Sequence, residues 1–291
     1  MTGKTVVITG AAGFVGSELC SRFAENGWNV RAGVRRPQLF SRRDERVSPF
    51  QCDLPFLLEV DAFRQADVLI HAAYSMRACD QEKARETNFE GTEAVLEAAR
   101  EAGVRKRVFI SSCSAHDAAL SFYGRSKFAL EKRFEGSRDL ILRPGLVLGD
   151  GGLFERMKES LQKSALVPLF DGGHQVLQTV HIDDLTEAVL RAIEGKKTGR
   201  LVIAETGGIE MRLFLEVMAR LLRLKRRFLS VPTAPSLPIL RLAEKLGTRL
   251  PVGSENLLGL RGMIHQPSRE TQQLLDLRFR PARESLRQLL A

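Results

Sequence analysis

The stretch YGRSK places a phenol and an amine, Tyr123 and Lys127, four residues apart. On a helix, this spacing puts both side chains on one face. A phenol with a pKa near ~10 transfers protons poorly at neutral pH. A neighbouring ammonium group stabilises the phenolate and lowers that pKa, so the pair predicts proton transfer to or from a substrate oxygen. Several hydroxyl groups stand shortly before the pair, in the run FISSCSAH.

A second group of residues, in the run ITGAAGFVGSEL, could hold a phosphate. Its glycines, Gly10, Gly13 and Gly16, follow an apolar strand and open a helix. Gly10 permits a tight turn, Gly13 lets the backbone approach a pyrophosphate, and Gly16 allows the helix to pack closely on the strand. The N–H groups around Phe14 and Val15 would then bind phosphate oxygens at the helix N-terminus. The pattern predicts dinucleotide binding.

The residues after the second strand indicate which dinucleotide. NAD sites usually have Asp or Glu there, which accepts from the ribose 2′-hydroxyl. Here the run is NVRAGVRRP, and Arg35 and Arg36 take that place. Guanidinium groups pair with a 2′-phosphate, so the sequence predicts NADP(H) in preference to NAD(H). The alternative is a solvated loop, with NAD held elsewhere. Asp53, which ends the third strand, could accept from the adenine amino group or could simply be a turn residue.

The elements that must position these residues alternate between strand and helix. Strands are predicted at 4–9, 29–34, 47–53, 66–73, 107–112, 139–149 and 199–205, and helices at 13–26, 84–103 and 123–136. The strands are apolar throughout, so we predict an α/β fold with a doubly wound parallel sheet of the Rossmann type. A smaller, mostly helical C-terminal substrate domain follows, its helices split by the run SVPTAPSLP.

The expected domain organisation is interleaved. A dinucleotide-binding domain is predicted over residues 1–150 and completed by 176–205, and the substrate domain covers 151–175 and 206–291. A chain of 291 residues with 44% hydrophobic and 27% charged residues suits this size.

The sequence contains no apolar run of membrane-spanning length and begins without the pattern of a signal peptide, so we expect a cytoplasmic location. Its four cysteines are widely separated, so we expect reduced thiols and no metal site.

The net charge of +9 is concentrated locally. Residues 211–250 carry nine Lys or Arg against two Glu, a balance of +7. This segment could contact acidic membrane lipids, a protein partner or an anionic substrate, or it could be a solvated helix face. Nucleic acid is not an expected partner, because the basic residues are not interleaved with aromatic residues.

Taken in order, these motifs resemble the short-chain dehydrogenase/reductase superfamily in its extended or atypical branch, the NAD(P)-dependent epimerase/dehydratase group. The resemblance covers about two thirds of the chain. It lies in TGAAGFVG (9–16), Asp53, IHAAY (70–74), TNFEGTEAVLEAA (87–99), RVFISS (107–112), YGRSK (123–127), LRPGLVLG (142–149) and VHIDDLTEAV (180–189).

The resemblance implies roles for individual residues. Tyr123 would move the proton on the substrate oxygen, and Lys127 would tune Tyr123 and bind the nicotinamide ribose. A hydroxyl would hold the substrate oxygen, with Ser112 the first candidate and Ser111 the second, although Cys113 occupies one of the places that family members use. The other positions implied to line the cofactor are Ala72, Ala73, Asn88, Pro144, Gly145 and Leu146; His181 and Asp184 are implied mainly as structural residues.

The implied activity is hydride transfer between nicotinamide and a ketone or alcohol, acting on a small-molecule substrate. Two alternatives stay open: a nucleotide-sugar epimerase or dehydratase, and an NADPH-binding sensor or assembly subunit without turnover. The sugar-nucleotide epimerases of the superfamily usually carry RPxN in the strand where this chain has RPGL, which favours a reductase. Dimers are frequent in the superfamily, so a homodimer is an open expectation.

Overall fold

A computed structural model describes residues 3–41, 44–76, 81–246, 248 and 253–291. The strands are β1 (Thr5–Thr9), β2 (Asn29–Val34), β3 (Val47–Asp53), β4 (Leu57–Leu58), β5 (Val68–His71), β6 (Lys106–Ile110), β7 (Leu140–Pro144), β8 (Leu146–Leu148), β9 (Leu166–Phe170), β10 (Val176–Leu177), β11 (Thr179–His181), β12 (Gly199–Ile203), β13 (Ile209–Glu210) and β14 (Arg227–Val231). The helices are α1 (Phe14–Glu25), α2 (Gln81–Glu101), α3 (Phe122–Glu131), α4 (Gly152–Lys163), α5 (Ile182–Glu194), α6 (Met211–Leu221), α7 (Thr233–Lys245), α8 (Ser254–Arg261), α9 (Arg269–Leu275) and α10 (Ala282–Leu290).

Eight strands form the main sheet in the order β12-β7-β6-β5-β1-β2-β3-β4. The pairs from β7 to β3 are parallel, and the short β4 pairs antiparallel with β3. The chain moves outward from β1 to β3 in one direction and from β5 to β7 in the other, so the direction reverses between β1 and β5. This reversal is the topological switch point of a doubly wound sheet, where dinucleotides bind. The predicted α/β fold with its helical C-terminal region is confirmed.

The chain divides into two compact units. Unit 1 comprises Met1–Ser111, Ser126–Arg143 and Leu185–Leu201, and unit 2 comprises Ser112–Arg125, Pro144–Asp184 and Val202–Ala291. Each unit has its own core. The buried side chains of unit 1 include Val7, Phe63, Leu69, Phe109 and Leu130, and those of unit 2 include Leu148, Phe154, Phe214, Met218 and Leu286. The assignment of residues 1–150 and 176–205 to dinucleotide binding, and of 151–175 and 206–291 to substrate binding, stays a prediction.

Two predicted elements differ from the structure. The strand expected over 139–149 breaks at Gly145, where the N–H of Gly145 donates to the Ile203 carbonyl and the next N–H donates to the Gln178 carbonyl. The break therefore follows a change of hydrogen-bonding partner. The run SVPTAPSLP was expected to separate helices, but α7 begins inside it and contains Pro238. Pro235 lies in the first turn of α7, where backbone N–H groups need no helical partner.

No helix within the described ranges is long and apolar enough to cross a membrane.

Candidate active site

The glycine-rich turn after β1 leaves no room for a side chain at Gly10 or Gly16, and its binding of a pyrophosphate stays a prediction. Gly10 has a φ of +71°, and a Cβ there would lie 2.7 Å from the backbone nitrogen of Ala73. Gly16 is buried, and a Cβ there would run into the carbonyl oxygen of Gly10. Gly13 is the N-cap of α1 and provides no side-chain hydrogen bond to the helix. The first N–H groups of α1, including those of Phe14 and Val15, are therefore donors of the kind that bind an anion.

A buried histidine network fixes the backbone beside that turn. His71 Nδ1 lies 2.8 Å from Thr9 Oγ1, and its Nε2 lies 2.9 Å from Thr92 Oγ1. The Thr92 hydroxyl donates to the Asn88 carbonyl at 2.5 Å, so its oxygen accepts from Nε2–H. His71 Nδ1 must then accept from the Thr9 hydroxyl. Burial, with a smaller contribution from Lys127, lowers the pKa of His71 to about 3, and the ring is neutral.

Asn88, Ala72 and Ala73 belong to the same arrangement. The Asn88 amide oxygen accepts from the Ser75 N–H at 2.7 Å, and its amide nitrogen donates to the Ser75 carbonyl at 3.1 Å. The N–H of Ala72 donates to the Thr9 carbonyl at 3.3 Å, and that of Ala73 donates to Thr9 Oγ1 at 3.4 Å. Asn88 therefore holds the segment after β5, and the role of these three residues in cofactor binding stays a prediction.

Lys127 is buried in unit 1. Its Nζ donates to the Ile110 carbonyl at 2.7 Å and lies 4.4 Å from the centre of the Tyr74 ring and 4.7 Å from that of Phe109. Burial lowers the pKa of Lys127 to about 7, against the opposing effect of Glu131. The two aromatic faces stabilise the ammonium form. The side chain is thus held at a fixed place and sits near its point of deprotonation at neutral pH.

Glu131 was not among the predicted site residues, although the structure connects it to several groups. It lies four residues after Lys127 on α3 and is 2% exposed. Its carboxylate accepts from the Ser111 hydroxyl at 2.6 Å, from Arg143, and from Arg200 Nε at 3.2 Å. The i,i+4 spacing from Lys127 was the available signal. Ser111 therefore has a structural hydrogen bond in unit 1.

Tyr123 and Ser112 are described within unit 2. The Tyr123 hydroxyl is hydrogen-bonded to Ser112, and the Ser112 hydroxyl also accepts from the Ser114 N–H at 3.1 Å. A Cβ at Gly124 would collide with the Ser114 carbonyl, so the start of α3 packs directly on this loop. Burial raises the pKa of Tyr123, which the Ser112 bond only partly offsets. The sequence-based expectation of a lowered pKa differs from this result, because desolvation is the largest effect.

Pro144, Gly145 and Leu146 lie in unit 2 beside a pair of buried glutamines that the sequence did not single out. The Pro144 carbonyl accepts from the Cys113 N–H at 2.9 Å. Gln178 Nε2 donates to the Gln266 carbonyl at 2.9 Å, and the Gln266 N–H donates back to Gln178 Oε1 at 2.7 Å. A Cβ at Gly145 would collide with the Gln178 carbonyl, so the glycine is required there.

The residues predicted to contact adenosine lie at the surface of unit 1. Arg35 and Arg36 follow β2 directly and are exposed, and the Arg35 carbonyl accepts from Gln51 Nε2 at 2.9 Å. Asp53 is half-buried at the end of β3. No acidic residue lies in β2, whose sequence is NVRAGV. Both guanidinium groups are thus available to an anionic ligand.

His181 and Asp184 have structural contacts, as the resemblance implies. The Asp183 N–H donates to His181 Nδ1 at 3.2 Å. Asp184 accepts from Arg280 through two nitrogens, at 2.8 Å and 2.6 Å, and from the Arg280 N–H at 2.8 Å. Desolvation and Arg280 lower the pKa of His181. Among the described residues, Cys20, Cys52 and Cys113 form no disulfide, and Cys79 lies outside the described ranges.

A doubly wound sheet with a glycine turn at its switch point, and a helix bearing Tyr-x-x-x-Lys, defines a Rossmann-type dinucleotide-binding protein of the short-chain dehydrogenase/reductase type. The NAD dependent epimerase/dehydratase family is the more particular assignment: its model matches residues 6–204, and the chain belongs to that family. The predicted superfamily and the predicted class of NAD(P)-dependent enzyme are therefore confirmed. The cofactor class is a nicotinamide dinucleotide.

Named relatives include reductases. The chain is 34% identical to ceramide reductase of Caulobacter vibrioides over 188 residues, which cover 62% of this chain and 57% of the reductase. The match thus spans less than two thirds of that relative.

Solved structures share the fold. MoeE5, in complex with UDP-glucuronic acid and NAD, aligns with a TM-score of 0.73 and 22% identity over 97% of this chain and 96% of that chain. Human epimerase family protein SDR39U1 with NADPH aligns with a TM-score of 0.75 and 16% identity over 98% of this chain and 99% of that chain.

Proposed function

We propose that this protein is an NADP(H)-dependent oxidoreductase that interconverts a ketone and an alcohol. The observation that carries the proposal is the hydrogen bond between the Tyr123 hydroxyl and Ser112, at the start of the helix that also bears Lys127. Two hydroxyl groups within hydrogen-bonding distance of each other can both donate hydrogen bonds to one carbonyl oxygen. The phenol, which is the more acidic of the two, then supplies the proton.

The residues present fit a nicotinamide dinucleotide. Gly10 lets the turn after β1 approach closely, and the uncapped first turn of α1 can bind the pyrophosphate. Arg35 and Arg36 are exposed after β2, where an NAD site would carry a carboxylate, and they favour a 2′-phosphate on the adenosine ribose. When bound, the nicotinamide ring supplies or accepts the hydride.

The protein groups move and position protons. The raised pKa of Tyr123 keeps its hydroxyl protonated at neutral pH, which suits a proton donor to a carbonyl oxygen and hence the direction of reduction. Ser112 orients that oxygen by a second hydrogen bond. Lys127, with a pKa of about 7, provides a buried ammonium group for the ribose hydroxyls. Tyr123 donates its proton to the carbonyl oxygen of the ketone while the adjacent carbon is reduced.

An apolar or amphipathic ketone is the proposed substrate class. The similarity to a ceramide reductase supports it. So does the strand sequence RPGL (143–146) in place of RPxN, together with the Leu-rich C-terminal part of unit 2. The alternatives are a nucleotide-sugar epimerase or dehydratase, and an NADPH-binding subunit without turnover.

Steady-state oxidation of NADPH by purified protein tests the proposal. The panel holds long-chain aliphatic ketones, short polar ketones and UDP-sugars, and epimerised sugars are detected by chromatography. We expect NADPH consumption with the aliphatic ketones. Epimerised UDP-sugar without net NADPH consumption would assign the epimerase alternative, and tight NADPH binding with no turnover on any compound would assign the subunit alternative.

A further inference from the structure

Helix α7 of unit 2 exposes an aliphatic stripe. Ile239, Leu242 and Leu246 are 64%, 60% and 75% exposed. Their spacing of three and four residues puts them on one face of the helix and its C-cap. The helix packs through a different face, where Thr233 and Ser236 in its first turn are buried and Leu240 and Ala243 are half-buried. Single exposed apolar residues are ordinary, but three on one helix face form a continuous apolar surface.

Two cations flank the aliphatic stripe. Arg241 and Lys245 are exposed and four residues apart, and they line a shallow groove with Leu237, Pro238 and Leu242. Within the described ranges, neither cation forms an ion pair with a carboxylate. The groove therefore combines apolar walls with unneutralised positive charge.

Glu244, the acidic residue nearest in sequence, leaves α7 with a net charge of +1. Its carboxylate accepts from the Ser254 N–H and from the Ser254 hydroxyl, each at 2.6 Å, and forms no ion pair with either cation within the described ranges. The chain just before α7 adds more positive charge to unit 2. Its exposed basic residues are Arg220, Arg223, Lys225 and Arg227.

The chemistry of the stripe favours a lipid surface over a protein partner. The residues of α7 are TAPSLPILRLAEK, with no aromatic side chain, whereas protein interfaces concentrate Tyr, Trp and Phe at their centres. Aliphatic side chains beside Lys and Arg match the interface of a bilayer, where acyl chains lie beneath negatively charged headgroups. We propose that α7 and its groove form a docking surface for membranes that contain anionic lipid. The inference does not depend on the proposed enzymatic activity.

Sedimentation with vesicles tests this surface on the 291-residue chain. Vesicles of phosphatidylcholine alone are compared with vesicles of phosphatidylcholine and phosphatidylglycerol. We expect binding to the mixed vesicles only, weakening as salt is added. Arg241→Gln with Lys245→Gln should weaken binding by about tenfold or more, since each basic residue near an anionic surface adds to the binding. Leu242→Gln should also weaken it, because the apolar contact is lost.

Matched controls are available on other helices of unit 2. Arg283 and Arg287 form an exposed pair at the same spacing on α10, and Leu274 on α9 is 45% exposed. The double change of Arg283 and Arg287 to Gln, and Leu274→Gln, should each bind mixed vesicles like the unchanged protein. Thermal unfolding establishes that all variants fold.

Three results would overturn the inference: no sedimentation with mixed vesicles, equal weakening by α7 and control variants, or self-association that Leu242→Gln abolishes while vesicle binding persists.

Discussion

Arg143 and Glu131 form a buried bidentate ion pair in unit 1. The Arg143 Nε donates to one carboxylate oxygen at 2.8 Å, and its Nη2 donates to the other at 2.7 Å. The two side chains are 9% and 2% exposed. Removing one partner leaves an uncompensated buried charge.

We therefore predict that Glu131→Ala lowers the free energy of unfolding by about 3–5 kcal/mol. Urea unfolding followed by circular dichroism measures it. Glu159→Ala is the control, because the Glu159–Lys163 pair is exposed on α4 and such pairs contribute at most about 1 kcal/mol. Equal losses in the two variants would contradict the structural importance of the Arg143 pair.

Glu131 also acts on Lys127. Its carboxylate raises the pKa of Lys127 against the effect of burial, which leaves that pKa at about 7. In Glu131→Gln, which keeps the side-chain shape, the pKa of Lys127 should fall further. If the reaction uses the ammonium form, the basic limb of the pH–rate profile shifts to lower pH. If the basic limb of the pH–rate profile lies at the same pH in the wild type and in Glu131→Gln, Glu131 does not affect the pKa of Lys127.

Because His71 is buried as a neutral ring, we expect the free energy of unfolding to fall at acidic pH. The pKa of His71 is about 3 in the fold and near 6.5 in the unfolded chain. Between these values the unfolded state binds the proton and the folded state does not, so stability falls as pH falls from about 6.5 towards 3, by at most about 1.4 kcal/mol per pH unit. The slope should be smaller in His71→Asn, which removes the buried imidazole. Parallel slopes for the wild type and His71→Asn would exclude this contribution.

The glycine turn gives a steric prediction. Gly16→Ala places a methyl group against the Gly10 carbonyl, and overpacking of this kind costs about 1–3 kcal/mol of unfolding free energy. Gly136→Ala meets nothing within 4 Å and should leave unfolding almost unchanged. Urea unfolding compares the two. A Gly16→Ala protein as stable as the wild type would show that the turn relaxes easily.

Coenzyme preference depends on Arg35 and Arg36. Each hydrogen bond to a charged group contributes about 1.5–3 kcal/mol, so changing both residues to Ala should weaken NADPH binding by at least about tenfold and leave NADH binding nearly constant. Isothermal titration calorimetry measures both coenzymes, with the exposed Arg105→Ala as a control. Equal affinities of the wild type for NADPH and NADH would remove the case for a 2′-phosphate.

The sequence predicted the fold well because its strands are apolar runs separated by helical periods. The predicted bounds of 29–34 and 47–53 coincide with β2 and β3. The break at Gly145 was missed, since it depends on hydrogen bonds to Ile203 and to Gln178, far along the chain. Local pattern carries no information about such partners.

The site was predicted in part for the same reason. The glycine turn is local and could be derived from spacing. The networks around His71 and Glu131 join residues from separate elements, so residue types alone did not reveal them. The direction of the Tyr123 pKa shift was wrong, because the extent of burial is a tertiary property.

The central claim is that the Tyr123 hydroxyl donates the proton. The chain has two tyrosines, so Tyr74→Phe, which keeps the ring over Lys127, is a matched control. The decisive measurement is the rate of NADPH oxidation at saturating ketone and NADPH by the wild type, Tyr123→Phe and Tyr74→Phe. We expect a fall of about 10²–10⁴-fold for Tyr123→Phe, with NADPH binding retained and Tyr74→Phe close to the wild type. A Tyr123→Phe enzyme that turns over at the wild-type rate would contradict the central claim.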